Sequence, residues 1–133
     1  MTPGREDYLV NIYRQIEERG YATNSDISKF LNVKRPSVTE MVKKLDAEGF
    51  VFRQKKKILL TDKGINTAKS MLSKHRLWEY FLKEVLKYKD EDLHEQADKL
   101  EHVTDDKLFN ALNKLMDYPK TCPHDEIIYK NEE

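Results

Sequence analysis

The chain has 133 residues, with 24 basic and 24 acidic side chains, a formal net charge of zero, and 36% charged against 38% hydrophobic residues. That length holds one compact domain or two small lobes sharing a helical spine, and the apolar runs are far too short for a membrane-spanning helix. The single Cys122 excludes an intramolecular disulfide and fits a reducing compartment, and MTPGREDY at the start has no signal-like apolar stretch, so a cytoplasmic location and no membrane partner are expected.

In chain order, the first periodic segment runs from Asp7 to Glu18, with Tyr8, Ile12, Tyr13 and Ile16 as its apolar stripe and Gly20 as its stop. ATNSDISKFLNV follows, where Asn24 or Ser25 is expected to cap a short helix burying Ile27, Phe30 and Leu31. Pro36 suits the first position of a third helix, where its missing N–H costs nothing. That helix turns Val38, Met41, Val42 and Leu45 inward, leaves Ser37, Thr39, Glu40, Lys43 and Lys44 outside, and ends at Gly49. The period then changes: Phe50 to Arg53 and Ile58 to Thr61 are β-prone runs around Gln54-Lys55-Lys56-Lys57, a hairpin with a lysine-rich tip.

Three helices and a hairpin give the order of a winged helix-turn-helix over residues 1–63, with the third helix set to enter a major groove. The charge supports it. Residues 1–63 hold 13 Lys/Arg against 9 Asp/Glu, while residues 64–133 hold 11 against 15, and the stretch 34–57 alone has eight basic residues to three acidic. A solvated charged face or a protein-binding winged helix is the blander reading. The basic residues on both helix and wing favour nucleic acid.

From Thr61-Asp62-Lys63-Gly64 a long helical stretch runs to about Tyr88, apolar on more than one side through Ile65, Ala68, Met71, Leu72, Leu77, Trp78, Phe81, Leu82 and Val85. Such a breadth, with Phe109, Leu112 and Leu115, predicts a second copy of the chain as cover. Two more helices follow, Asp90 to His102 and Asp105 to Met116, and then a loop-like tail from Asp117. The expected fold is therefore mainly α, a winged helix-turn-helix followed by a helical domain over residues 64–133.

The first of those later helices carries His94, Asp98, Glu101 and His102 at steps of four, three and one, which predicts two imidazoles and two carboxylates on one face. His75 and Glu79 form another i,i+4 pair. An isolated pair of this kind is ordinary surface decoration, but six donors in two groups form a set suited to a divalent metal. Cys122-Pro123-His124 could be half of a zinc site; no second half is visible, and a structural turn is the favoured reading. A hydrolytic enzyme is not expected, because no phosphate-binding glycine loop and no nucleophile motif accompany the donors.

These residues resemble the diphtheria-toxin-repressor family of metal-dependent transcriptional repressors, which includes the manganese transport regulators. The likeness covers nearly the whole chain through EDYLVNIY, SDISKFLNVKRPSVTEMVKKLDAEGFV, LTDKG, KHRLWEYFL and HEQADKLEHV, the last two being the specific ones. The resemblance implies a homodimer that binds palindromic double-stranded DNA operators of metal-uptake genes when loaded with Mn2+ or Fe2+, with Co2+, Ni2+, Zn2+ or Cd2+ as stand-ins in vitro. It implies a primary metal site at Asp7, Asp98, Glu101 and His102 and an ancillary one at His75, Glu79 and His94. Arg35, Ser37, Thr39, Glu40, Lys43 and Lys44 would face DNA, and the wing residues Lys55, Lys56 and Lys57 would touch its phosphates. Carboxylates at Asp7 and Asp98 match the manganese-responsive branch, whereas Val10 replaces a Glu of that branch and His94 resembles the iron-responsive one. Longer relatives continue into an SH3-like domain that lends ancillary ligands; with the sequence stopping at Glu133, solvent is expected in their place. The alternative is a winged-helix regulator that answers to a small organic ligand, or a constitutive DNA-binding protein with vestigial metal residues.

Overall fold

Apolar side chains at helical spacing fold the first fifty residues into three helices, α1 (Arg5–Arg19), α2 (Asn24–Leu31) and α3 (Arg35–Ala47). A computed structural model describes residues 3–132. β1 (Val51–Gln54) and β2 (Lys57–Leu60) follow as an antiparallel hairpin pairing Val51 with Leu60 and Gln54 with Lys57. Then come α4 (Asp62–Glu84), α5 (Asp90–Glu101), α6 (Asp106–Leu115) and a 3-10 turn (Tyr129–Asn131). The described residues form two compact units, one up to Ala68 and one from Lys69, with the division falling inside α4.

The first unit is held by an apolar core. Ile12, Ala22, Ile27, Val38 and Leu45 are fully buried, with Tyr8, Leu9, Val42, Val51 and Ile58 nearly so, and each large member contributes about 1.5–3 kcal/mol on burial. Ala22 pairs with Ile58 as an isolated bridge, Ala22 N donating to Ile58 O at 2.9 Å and Ile58 N to Ala22 O at 2.8 Å, which fastens the wing to the α1–α2 connection. The cap of α2 is Thr23 rather than Asn24 or Ser25: its hydroxyl accepts from Asp26 N at 3.2 Å, while the Asn24 amide donates to Thr39 Oγ1 instead. Phe30, expected inside, is 69% exposed, because α2 is only two turns long and Ile27 is its one fully buried anchor. Gly64 is required where it stands. A Cβ there would come within 2.1 Å of the Phe50 carbonyl oxygen, so only glycine lets α4 start against the end of the hairpin.

The second unit packs the later part of α4 with α5, α6 and the C-terminal segment. Leu77, Phe109, Leu112 and Ile128 form one buried cluster, and Leu82, Leu93 and Ala97 another; Trp78 packs against both and donates its indole N–H to Thr104 Oγ1 at 2.7 Å. This corrects the expectation that a second copy covers Phe109 and Leu112. The chain's own Ile128 does so, brought back from a segment with no helical period. Leu115 stays exposed, as do Val85, Leu86, Val103 and Leu108. Among the described residues no helix is long and apolar enough to cross a membrane.

Candidate metal centre and nucleic-acid face

Two helices and one turn of the second unit converge on a buried polar cluster. On α4 the i,i+4 step puts His75 and Glu79 on one face, both buried. On α5, Glu101 is buried and His94 and Asp98 are exposed. The chain after α6 folds into a tight turn closed by the Thr121–Ile127 bridge, with Cys122 N donating to Glu126 O and Asp125 N to Cys122 O, each at 2.9 Å. That turn delivers a buried Cys122 and an exposed His124.

Three donor groups result, each with ligand atoms within 4.8 Å of one another: His75, Glu79 and His94; His75, Asp98 and Glu101; and Glu79, Cys122 and His124. His75 and Glu79 belong to two groups each. His75 Nδ1 lies 2.6 Å from Glu101 Oε1 and Nε2 lies 3.5 Å from Glu79 Oε1, so the imidazole is held between two carboxylates. Its ring also stacks edge-on against His94 at 4.8 Å. The other oxygen of Glu79, Oε2, lies 3.8 Å from His124 Nδ1.

Burial opposes a charge on His75, but the hydrogen bonds and charges of Glu101 and Glu79 outweigh it and lift its pKa to about 9. Burial likewise pushes Glu79 up; His75, then His124 and His94, more than offset this, and its carboxyl is held below the usual range. Glu101 is held above it, first by burial, with Asp98 adding to the effect against the pull of His75. These shifts favour the imidazolium form of His75 between the two carboxylates. Imidazole and carboxylate donors in this arrangement fit a divalent first-row ion, and Cys122 adds a softer donor to the third group.

Two candidate ligands remain, Asp7 and His102. Asp7, at the third position of α1, accepts from Gly4 N at 2.9 Å through Oδ2, capping the start of the helix in the first unit. His102 follows the last residue of α5 as its exposed C-cap and keeps a right-handed helical backbone (φ −72°, ψ −18°). Neither belongs to the three groups. The Glu79–Cys122–His124 group escaped the sequence reading because its members are 43 and 45 residues apart; the Cys-Pro-His turn was its only signal.

In the first unit Arg35, Ser37, Glu40, Lys43 and Lys44 on α3 and Lys55, Lys56 and Lys57 on the wing are all exposed. Thr39 is half-buried and locally engaged, accepting from the Asn24 amide at 2.9 Å and donating to Arg35 O at 3.2 Å. A notch of about 420 Å³ opens between the start of α2, the α3 face and the wing, lined by Arg35, Arg53, Lys55 and Lys56 with the hydroxyls of Thr23, Ser25 and Thr39. Arg53 is a member that helix spacing does not flag, since it lies on a strand.

Two family models match the chain: that of the iron dependent repressor N-terminal DNA binding domain over residues 1–59, and that of the iron dependent repressor metal binding and dimerisation domain over residues 61–130. The chain is 36% identical to the HTH-type transcriptional regulator MntR of Bacillus subtilis (strain 168) over 118 residues, covering 88% of this chain and 82% of that protein. Against MntR of Geobacillus kaustophilus (strain HTA426) it is 35% identical over 126 residues, covering 94% and 86%. Among solved structures it is similar to the manganese regulator SloR (44% identity, TM-score 0.82, covering 93% of this chain and 58% of that one). It is also similar to the metal-dependent transcriptional regulator MtsR (39%, 0.89, covering 96% and 60%) and to ScaR with bound Zn2+ (42%, 0.87, covering 95% and 59%). The chain thus spans about three-fifths of the length of those solved regulators.

Proposed function

The chain belongs to the iron-dependent repressor family, and from that premise we propose that it is a metal-dependent transcriptional repressor, cytoplasmic and homodimeric, that binds palindromic operators of metal-uptake genes in response to Mn2+ or Fe2+. The family is one of regulators, and the chain is not an enzyme. The observation that carries the reading is the buried cluster of His75, Glu79 and Glu101, in which one imidazole is held by two carboxylates and shared by two of the three donor groups.

A bound divalent ion would supply the positive charge that these carboxylates otherwise obtain from the His75 proton. His75, Glu79 and Glu101 would hold the ion, His75 as the neutral imidazole and the two carboxylates as anionic oxygen donors. Asp98 and Glu101, with Asp7 and His102 carried over from the family motif, form the proposed regulatory set. His75, Glu79 and His94 form the ancillary one, and Cys122 with His124 offers Glu79 a second, softer environment. Residues 1–63 are the reading lobe and 64–133 the sensing lobe. Ligation favours the conformer that suits two successive major grooves, by as much as the ion prefers that conformer. Arg35, Ser37, Thr39, Glu40, Lys43 and Lys44 then meet the groove, and Lys55, Lys56 and Lys57 the phosphates.

The test is an anaerobic titration of operator binding against Mn2+, Fe2+, Co2+ and Zn2+, with the oligomeric mass followed by sedimentation. Operator affinity is expected to rise with Mn2+ or Fe2+ on a particle of twice 15.8 kDa. Operator binding that ignores metal would sink the reading in favour of a constitutive or organic-ligand regulator.

A further inference from the structure

We propose that Arg76 is a positioning residue for ion binding: its guanidinium clamps the C-terminal turn to α4, so that Cys122 and His124 stand at Glu79 before any ion arrives. The inference rests on reading Glu79, Cys122 and His124 as an ion-binding set.

Arg76 follows His75 on α4 and reaches the turn that carries Cys122 and His124. It is 4% exposed, Nη1 donates to Ile127 O at 2.7 Å, and Nη2 donates to Glu126 Oε2 at 3.0 Å. Ile127 closes the bridge with Thr121, and Glu126 O receives Cys122 N. The two arms of the guanidinium therefore grip the returning limb of the turn whose outgoing limb carries Cys122 and His124. The Arg76 Cζ also lies 5.4 Å from the Tyr129 ring centroid. Nε is buried without a hydrogen-bond partner among the described residues.

The rest of the tail is secured without Arg76. Lys130 N donates to Ser73 Oγ at 3.2 Å, the Asn113 and Asn131 amides exchange reciprocal bonds of 2.8 Å, and Ile128 is fully buried. Those contacts lie beyond residue 127 and hold the tail's end. At the turn itself Arg76 supplies two short hydrogen bonds from α4, alongside the longer 3.8 Å approach of His124 Nδ1 to Glu79 Oε2. Within the turn, His124 N donates to Cys122 Sγ at 3.4 Å, which orients the sulfur with its own backbone. A free turn would have to be ordered when the ion binds, whereas a clamped one presents its donors ready-made.

The experiment uses the full chain with two probes, iodoacetamide on the metal-free protein and Co2+, whose thiolate complex absorbs in the near ultraviolet. Cys122 is the only cysteine, so both readouts report one sulfur. In Arg76→Ala the thiol is expected to alkylate about tenfold faster than in the native chain. The thiolate band should need about ten- to a hundredfold more Co2+, the scale of losing a group that orients a ligand. Arg76→Lys, which keeps the charge but offers one donor direction, should fall between. Should Arg76→Ala fail to fold, Glu126→Ala carries the test, since that side chain is 44% exposed and its loss opens half of the clamp. Folded variants with native alkylation rates and native Co2+ midpoints would overturn the proposal and leave Arg76 a residue of stability alone. Cys122→Ser should erase the band. If the native chain shows no band, the donor-set reading fails, and the alkylation arm still decides the clamp: acceleration supports it, an unchanged rate overturns it.

Discussion

The two units differ in where they keep their charge. In the first, the only buried polar side chain among the described residues is Gln15, and all the basic residues of α3 and the wing lie at the surface. In the second, His75, Arg76, Glu79 and Glu101 are all buried, together with Ser73, Thr104 and Asn113. An apolar core with basic charge outside suits a polyanion. A core that buries two carboxylates and holds them with one proton is poised for a different cation. This contrast accords with the matches of residues 1–59 to a DNA binding domain and of residues 61–130 to a metal binding and dimerisation domain.

The largest expected effect breaks that contrast at its centre. His75→Ala removes the group shared by two donor sets and leaves Glu79 and Glu101 facing each other, and metal affinity by calorimetry should fall more than about a hundredfold. Operator binding should lose its metal dependence, while the weak, salt-sensitive attraction to any DNA persists through the first unit. His102→Ala sharpens the division between regulatory and ancillary donors: it should abolish metal-dependent operator binding, whereas Glu79→Ala should shift the metal midpoint with repression still reachable. The reverse order would show that the division is wrong.

Gly64→Ala tests the first unit by forcing a methyl against the Phe50 carbonyl oxygen. It should cost about 1–3 kcal/mol in unfolding free energy by denaturant titration, with the metal midpoint of the folded chain unchanged.

Acidity separates the units next. The metal must displace the His75 proton, so affinity should rise by up to about tenfold per pH unit until about pH 9. In the metal-free chain the sign is opposite: the folded pKa of about 9 exceeds the ordinary 6.5, so the stability from the His75 imidazolium is complete below 6.5 and lost as pH rises through about 9. Thermal unfolding without metal should therefore show a lower Tm at pH 10 than at pH 6, and a Tm that rose instead would place the proton elsewhere.

The smallest effect belongs to the wing. Lys55→Ala with Lys56→Ala should weaken binding to all DNA sequences alike and flatten the salt dependence by about one unit for each phosphate no longer neutralised. A changed operator preference with an unaltered salt slope would move these lysines from the backbone to the bases.

Much of this was legible in the residues themselves. The stripe of α1, Pro36 near the start of α3, the β-prone runs around the lysine tip and Gly64 after the hairpin are local signals, and each element formed within a few residues of its expected bounds. The donor types at helical steps on α4 and α5 were equally plain, because an i,i+4 spacing survives in any helix that forms. Packing alone decided that Thr23, and not Asn24, caps α2, since the Asn24 amide is drawn to Thr39 on another helix. It also decided that Ile128 covers Phe109 and Leu112, and that Cys122 and His124 meet Glu79 across more than forty residues. Spacing encodes which side chains share a helical face; which faces close on one another depends on how the whole chain fills its core, and no local interval in the sequence carries that.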